Sequence, residues 1–162
     1  MVKIENYDPF ETDIWFYCEE GDANVVTTAE NEEILTFSNQ LVQGDYVKLV
    51  NTKDKTVAKA GANDEVIGVV ITQPKYDGSR PSQTSASGTY DMRICTVRLF
   101  GYYVHTVELI SDNKVIAVGD SVKYAGDNKF DKGTASNKAK ALVSAEALSG
   151  KKIPVLMGLL GF

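Results

Sequence analysis

A repeated corner and strand constrain the fold of this chain more than any other feature. Residues 44–49 read GDYVKL and residues 119–124 read GDSVKY, and each stretch is followed by a polar turn and a return strand. Glycine permits a positive φ, and an aspartate side chain accepts a nearby backbone N–H, so a Gly-Asp pair marks a corner from which a strand starts. The same elements used twice predict one supersecondary unit repeated around a shared core. The plainer alternative is that any two β-meanders share such turns.

Later blocks extend the match. VIGVV at 66–70 corresponds to AKALV at 139–143, and TVRLFGYY at 96–103 corresponds to IPVLMGLL at 153–160. Short runs of β-branched residues bounded by Gly, Asn and Asp are typical of antiparallel strands. We therefore expect an all-β chain built from two similar halves, which we place at about 44–103 and 119–162.

Two segments depart from this pattern. Residues 1–13 mix charges with Tyr7 and Phe10 and predict an extended N-terminal arm ahead of a single β domain at 14–162. Residues 72–91 are small, polar and turn-forming, and so predict a long insert loop. Inserts of this length are usually functional or disordered, so this one is either a solvated insert or a hairpin or arm that contacts a partner. The residues that we expect to bind a partner are aromatic or basic: Tyr7, Phe10, Trp15, Tyr76, Arg80 and Tyr90.

Three further segments give local predictions. Residues 92–109 alternate regularly and predict one long strand, bent at Gly101. Residues 144–148 predict a short helical turn that ends before Gly150. Residues 153–162 are too apolar for a solvated edge, so we expect that strand in the middle of the sheet or against another subunit.

Composition excludes several classes of function. The 162 residues carry a net charge of -5 with scattered lysines and arginines, whereas a nucleic-acid binder usually shows a basic face. We therefore expect no direct nucleic-acid partner. No apolar run approaches the roughly 18 residues that span a bilayer, which predicts a soluble protein made in a cytoplasm, with no membrane partner.

The sequence offers little chemistry. His105 is the one histidine, it is flanked by Val104 and Thr106, and no second group near it in sequence suggests a triad or a metal site. Cys18 and Cys95 lie in apolar, strand-like surroundings and are interpreted as buried free thiols rather than a disulfide. Phosphate-binding glycine motifs do not occur in the sequence. We predict no enzyme activity, no catalytic residue, no cofactor and no metal.

The Gly-Asp-x-Val pairs at 44–47 and 119–122, the phrase KAGANDEVIGVV at 59–70 and the closing VLMGLL at 155–160 resemble the capsid cement, or head decoration, proteins of tailed bacteriophages. The resemblance covers roughly residues 41–162. It implies a small β-barrel or tulip-like β domain that binds the major capsid protein. It also implies a homo-trimer or other homo-oligomer on the capsid surface of the virion, assembled in the host cytoplasm, which braces the shell against internal DNA pressure. No individual binding residue follows from the resemblance.

Two other functions stay open at this stage. A fibre or spike domain could bind host surface glycans by stacking sugar rings on tyrosines, namely Tyr76, Tyr90, Tyr102 and Tyr103. A small hydrolase that uses His105 is the least favoured hypothesis.

Overall fold

A computed structural model describes residues 12–76, 82–85, 88–101, 104–110, 114–137, 139–146 and 151–157. Over these ranges the chain is all-β and contains no helix, which confirms the predicted fold class. None of the described residues forms a helix that is long and apolar enough to cross a membrane.

The strands are short and follow one another closely along the chain. In chain order they are β1 (Asp13–Glu19), β2 (Ala23–Thr27), β3 (Glu33–Phe37), β4 (Tyr46–Leu49), β5 (Thr56–Lys59), β6 (Gly68–Val70), β7 (Ser82–Ser85), β8 (Gly88–Asp91), β9 (Ile94–Leu99), β10 (Val104–Glu108), β11 (Val115–Ile116), β12 (Ser121–Gly126), β13 (Lys129–Lys132), β14 (Ala139–Ala141), β15 (Ala145–Glu146) and β16 (Lys152–Leu156).

Five strands of the first half close into a barrel in the order β1-β5-β4-β6-β9. β1 runs parallel to β5, with Cys18 opposite Val57, and antiparallel to β9, with Trp15 opposite Thr96. Val57 and Val97, on β5 and β9, are fully buried. The predicted small β-barrel is thus present in the structure.

Five strands of the second half form a sheet in the order β10-β16-β14-β12-β13. A parallel bridge between Leu109 and Phe130 links the end of β10 to β13. Both of these side chains are fully buried, as are Val122 and Val155. β16 lies between β10 and β14, so residues 153–156 of the apolar closing stretch occupy the middle of a sheet, as predicted. Residues 158–162 of that stretch lie outside the described residues.

The two halves share one strand arrangement. We call β1, β4, β5, β6 and β9 the first copy and β10, β12, β13, β14 and β16 the second copy; the hydrogen-bonded order of strands is the same in both. In the central hairpins, Val47 lies opposite Lys59 in the first copy, and Val122 lies opposite Lys132 in the second. The parallel pairing of β1 with β5 likewise has its counterpart in the bridge from Leu109.

The Gly-Asp corners are built from the same hydrogen bonds in both copies. Gly44 has φ +96° and Gly119 has φ +83°, a backbone conformation that glycine adopts without strain. Asp45 Oδ2 accepts the Val42 N–H, and Asp120 Oδ2 accepts the Ala117 N–H, at 2.9 Å in each case. The neighbouring strand closes each corner. In the first copy, Gly44 N–H donates to Val70 O, and Val70 N–H donates to Asp45 O. In the second copy, Gly119 N–H donates to Ala141 O, and Ala141 N–H donates to Asp120 O.

Two local predictions differ from the structure. The stretch 92–109 is two strands, β9 and β10, rather than one bent strand, because β9 pairs in the first sheet and β10 in the second. The helical turn predicted at 144–148 is wrong at Ala145–Glu146, which form β15 and pair with β11. The insert at 72–91 contains a hairpin, β7–β8, which is one of the forms that the sequence left open.

The contacts of the chain group into two compact units. Residues 1–59 and 70–98 make the first unit, and residues 60–69 and 99–162 make the second. Of the predicted arm, residues 1–11 lie outside the described part of the chain, and Asp13 is the first residue of β1. The division of the chain into an arm and one β domain stays a prediction.

Candidate functional site

A two-stranded hairpin, β2–β3, lies outside both five-stranded sheets. We call residues 23–37 the acidic hairpin. Its turn is fixed locally: Thr28 N–H donates to Glu32 O at 2.8 Å, Asn31 N–H donates to Thr28 O at 3.0 Å, and Asn31 takes a positive φ of 59°. Asparagine tolerates this conformation better than most residues, because its short side chain can hydrogen-bond locally.

The base of the acidic hairpin is anchored in the first unit. Ser38 N–H donates to Asp22 O at 2.8 Å, and Asp22 N–H donates to Ser38 Oγ at 2.9 Å. Ala23 and Phe37, which face each other at the base, are buried. Only the part beyond this pair reaches into solvent, so the hairpin has a fixed stem and an exposed outer half.

The exposed half is apolar on its sides and negative at its tip. Val25 is 55% exposed, Val26 is 50% exposed and Ile34 is 47% exposed, and Val26 lies opposite Ile34. Successive strand residues point to opposite faces, so Val25 and Val26 give each face of the hairpin an exposed valine. Residues 23–37 contain three carboxylates, at positions 30, 32 and 33, and no lysine or arginine. An isolated two-stranded hairpin is marginally stable in water, so contact with a second surface would stabilise it.

The second exposed apolar surface lies on the Gly-Asp corner of the second copy. We call it the apolar corner, and it consists of Val115, Val118, Leu142 and Val143, which are 59%, 64%, 40% and 40% exposed. Val118 N–H donates to Ser144 Oγ at 3.3 Å, which holds the corner against the residues after β14. Lys132 Nζ donates to Val115 O at 3.3 Å and lies 2.9 Å from Asp120 Oδ2, so an ion pair borders the surface.

The first copy is polar at most of the matching positions. Gln43 stands where the second copy has Val118, and its N–H donates to Gln73 Oε1 at 3.3 Å, as Val118 donates to Ser144. Thr72 stands in place of Val143, and its hydroxyl accepts the Thr96 N–H at 2.9 Å. At one position the first copy is the more apolar: Val42 is exposed there, and the equivalent residue of the second copy is Ala117. The first copy therefore shows that the shared fold does not require valine at the positions equivalent to Val118 and Val143.

A small polar cavity of about 190 Å³ lies within the second unit. It is lined by Asn63, Asp64, Lys123, Tyr124, Thr134 and Asn137. Two turns of equal construction meet there, since Gly61 N–H donates to the Asp64 carboxylate at 2.7 Å and Thr134 N–H donates to Asn137 Oδ1 at 2.8 Å. Lys123 Nζ donates to Asn63 Oδ1 at 3.3 Å across the lining. The lining therefore includes hydrogen-bonding groups, one carboxylate and one ammonium group.

The residues predicted to bind a partner are placed only in part. Trp15 is half-buried on β1, where its ring meets Tyr17 edge-on at 5.1 Å and the Lys55 ammonium lies 3.2 Å from its centroid. Tyr76 is 51% exposed. Tyr90 lies on β8 opposite Gln83, and only its backbone is described. Tyr7, Phe10 and Arg80 lie outside the described residues. Their roles stay predictions, and the two apolar surfaces were not found from the sequence.

The histidine and the two cysteines, which are the side chains with the most reactive chemistry, pack within the fold. The His105 ring packs on Phe100, with centroids 5.2 Å apart. Cys18 and Cys95 are free, buried thiols, and a hydrogen bond with Cys95, together with burial, raises the pKa of Cys18. No group of three or more His, Cys, Asp or Glu side chains that could hold a metal occurs within the ranges given above.

No known protein family matches this sequence, and no curated protein matches it at a significant level.

Proposed function

We propose that this protein binds the outer surface of a phage capsid and stabilises the shell. One observation carries the proposal: of the eleven large aliphatic side chains that are exposed among the described residues, seven lie on the acidic hairpin and the apolar corner, where the two copies differ. The acidic hairpin has no counterpart of its length in the second copy, where the two-residue strand β11 stands between β10 and β12. The positions of the first copy that correspond to the apolar corner are, in turn, mostly polar. Exposed apolar surface that the fold does not need is typical of protein interfaces.

The fold suits a protein that braces other proteins. Each copy is a small, hydrogen-bonded β unit, and such units hold loops and hairpins rigidly because their backbone groups are paired. A bracing protein gains from several weak contacts made at once, since linked contacts rebind at high effective concentration. The resemblance to cement proteins supplies the partner in this proposal, the major capsid protein.

Binding to expanded capsids that lack this protein tests the proposal. We expect the purified protein to co-sediment with such capsids at a fixed ratio to the major shell subunit, and to raise the temperature at which the shells open. Protein that stays in the supernatant at micromolar concentration would refute the proposal. A variant without residues 1–11 tests the predicted arm and leaves β1 intact, because Asp13, which pairs with Arg98 across β1 and β9, is retained.

Glycan binding is the second candidate, and the polar cavity is the observation in its favour. Its lining offers amide, hydroxyl, carboxylate and ammonium groups, which are the groups that bind sugar hydroxyls. A glycan array that shows specific binding, lost on Lys123→Ala and retained in Lys53→Ala, would favour this function over shell binding.

A further inference from the structure

We infer that the acidic hairpin binds a basic, extended segment of another protein, which pairs with the outer edge of β2 as a third strand. The biological setting of this contact rests on the proposed function, in which the segment belongs to the major capsid protein. Binding of a peptide to the purified protein can be measured without capsids, so the two proposals can fail separately.

The outer edge of β2 carries backbone groups that no described residue occupies. Ser38 N–H donates to Asp22 O at the base of the hairpin, in register with the pairs of β2 and β3. Antiparallel strands alternate between residue pairs that exchange backbone hydrogen bonds and pairs that do not. Counted from this bond, Val25 and Thr27 belong to the second kind, so their N–H and C=O groups point away from β3. Neither residue makes a further backbone hydrogen bond within the described ranges.

β2 is more open than β3. Residues 24–27 are all exposed, whereas Leu35 and Thr36 of β3 are half-buried. The outward groups of Phe37 are also taken: Gln40 N–H donates to Phe37 O at 3.3 Å, and Gln40 Oε1 accepts the Phe37 N–H at 3.4 Å. A strand added to the hairpin therefore finds its longer open edge on β2.

β2 lacks the features that protect an exposed strand edge. Residues 24–27 read NVVT, with no charge and no proline, and their pairing with β3 continues without a bulge. Natural edge strands usually carry such features, because an unprotected edge pairs with another chain. In strand addition the main-chain hydrogen bonds supply affinity, and side chains on alternate faces supply specificity. Val25 and Val26 offer one exposed aliphatic side chain to each face of an added strand.

The charge of the region selects a basic partner. Residues 4–47 contain 11 of the 22 acidic side chains and neither lysine nor arginine. Near the foot of the hairpin, Lys53 pairs with Glu19 and Arg93 pairs with Glu20. The exposed carboxylates of the tip are Glu30, Glu32 and Glu33. Within the described ranges no ion pair neutralises them, so a segment with lysine or arginine beside the tip gains complementary charge.

A second copy of this chain does not supply that chemistry. Residues 22–37 contain four carboxylates and no lysine or arginine. Pairing of β2 with the β2 of another molecule would set two such segments side by side, and like charges across an interface oppose association. The occupant that fits the charge is therefore a different, basic chain.

Two substitutions at one position separate backbone pairing from side-chain packing. Val25→Pro removes the outward N–H and leaves the bonds between β2 and β3 in place, since proline is tolerated where a strand N–H faces solvent. Val25→Thr is the matched control, because it also shortens the apolar surface but keeps the N–H and a β-branched side chain. Circular dichroism and melting temperature check that both variants fold.

A triple variant tests the charge. Glu30→Gln, Glu32→Gln and Glu33→Gln together neutralise the tip without changing the size of its side chains. The control changes the net charge by the same amount at three exposed carboxylates outside the hairpin, with Asp54→Asn, Glu65→Gln and Asp127→Asn.

The measurement is a titration of the ¹⁵N-labelled full chain, followed by NMR, with a blocked eight-residue peptide of alternating lysine and valine. We expect the amide signals of Val25 and Thr27 to shift. The dissociation constant should rise about tenfold or more in Val25→Pro and in the triple glutamine variant, and by less than about threefold in their controls. A peptide of alternating glutamate and valine should not bind, and about 0.5 M salt should weaken the lysine peptide.

Several results would overturn the inference. They are unchanged Val25 and Thr27 signals at about 1 mM lysine peptide, equal binding of the glutamate peptide, a shift of Leu35 in place of Val25, and a wild-type protein that dimerises through β2. Shell binding that Val25→Pro leaves intact would also remove this inference and keep the proposed function. Peptide binding at β2 by a protein that does not bind shells would remove the proposed function alone.

Discussion

Glu20 and Arg93 form a buried ion pair in the first copy. Glu20 is 0% exposed, and Arg93 Nε donates to Glu20 Oε2 at 2.8 Å while a second guanidinium nitrogen bonds to the other carboxylate oxygen. The Leu41 N–H also donates to Glu20 Oε1 at 2.8 Å. The hydrogen bonds that Arg93 donates to the Glu20 carboxylate raise the pKa of Arg93. Glu20, three residues before the acidic hairpin, is thereby linked to Leu41, which follows the hairpin, and to Arg93, which directly precedes β9.

Replacing this carboxylate is expected to be costly. Glu20→Gln leaves the Arg93 charge buried without its counter-ion, and breaking a buried pair in this way costs about 3–5 kcal/mol. Urea denaturation followed by circular dichroism measures the loss. Asp13→Asn is the matched control, because the Asp13–Arg98 pair is exposed, at 38% and 48%, and should contribute about 1 kcal/mol or less. Equal losses in the two variants would show that burial does not set the strength of these pairs.

The glycines of the two corners should respond alike to substitution. Gly44 and Gly119 both have positive φ, and a Cβ atom at either position would meet no other atom within 4 Å. Gly44→Ala and Gly119→Ala therefore cost backbone strain alone, about 1–2 kcal/mol each. Thermal unfolding of the two variants measures this cost. A loss at one corner only would mean that the corners are less equivalent than their hydrogen bonds indicate.

The corners could be predicted from the sequence because their causes are local. A glycine supplies the φ, and the aspartate next to it caps a backbone N–H three residues earlier, so both features appear in six letters of sequence. The register of the next strand was harder to predict. The sequence alignment placed Ala141 against Gly68, whereas the hydrogen bonds show that Ala141 corresponds to Val70. Strand register is set by partners distant in the chain, and AKALV offers few distinctive side chains to fix it.

The match between β1 and β10 was not predicted either. DIWFYCE and VHTVE share little beyond alternation, and their equivalence becomes visible only through their partners in the sheet, β9 and β16. The helical turn failed for a related reason. Residues 145 and 146 are an alanine and a glutamate, which favour a helix locally, but pairing with Val115 and Ile116 overrides that preference.

The candidate surfaces were missed because sequence patterns do not report exposure. Val25, Val26 and Ile34 are β-branched residues typical of strands, and strand valines are usually buried. Their exposure follows from the topology, because β2 and β3 pair with no third strand among the described residues. Comparing the copies residue by residue would have shown valine against glutamine at positions 118 and 43, a difference that is readable in the sequence once the register is known.

Part of the pH dependence of stability should be traceable to Asp120. The Ala117 N–H, and then the Lys132 ammonium, lower the pKa of Asp120 below its usual value of 3.8. A carboxyl group with a depressed folded-state pKa contributes stability above its unfolded pKa and loses it as the pH falls through the folded pKa. We expect the wild-type melting temperature to fall below about pH 4, and Asp120→Asn to show a shallower fall there. Asp54→Asn, at an exposed turn residue, is the control, and identical pH profiles for wild type and Asp120→Asn would contradict this assignment.

The thiols of Cys18 and Cys95 should be inert in the folded protein. Cys18 is 0% exposed and Cys95 is 2% exposed. Because the hydrogen bond with Cys95 and burial raise the pKa of Cys18 above its usual value of 9.0, that group stays a thiol at pH 8. A disulfide reagent reacts only with a thiolate that can reach and attack its sulfur–sulfur bond, which releases one half of the reagent as a thiolate. We therefore expect no titratable thiol in the native protein at pH 8 and two after unfolding in guanidinium. Leu49→Cys, which places a thiol at a 46% exposed position, is the positive control and should add one group that reacts at once. If native wild-type protein reacted as fast as this variant, the strands β1 and β9 would have to open readily, and the barrel could not serve as a rigid support for the acidic hairpin.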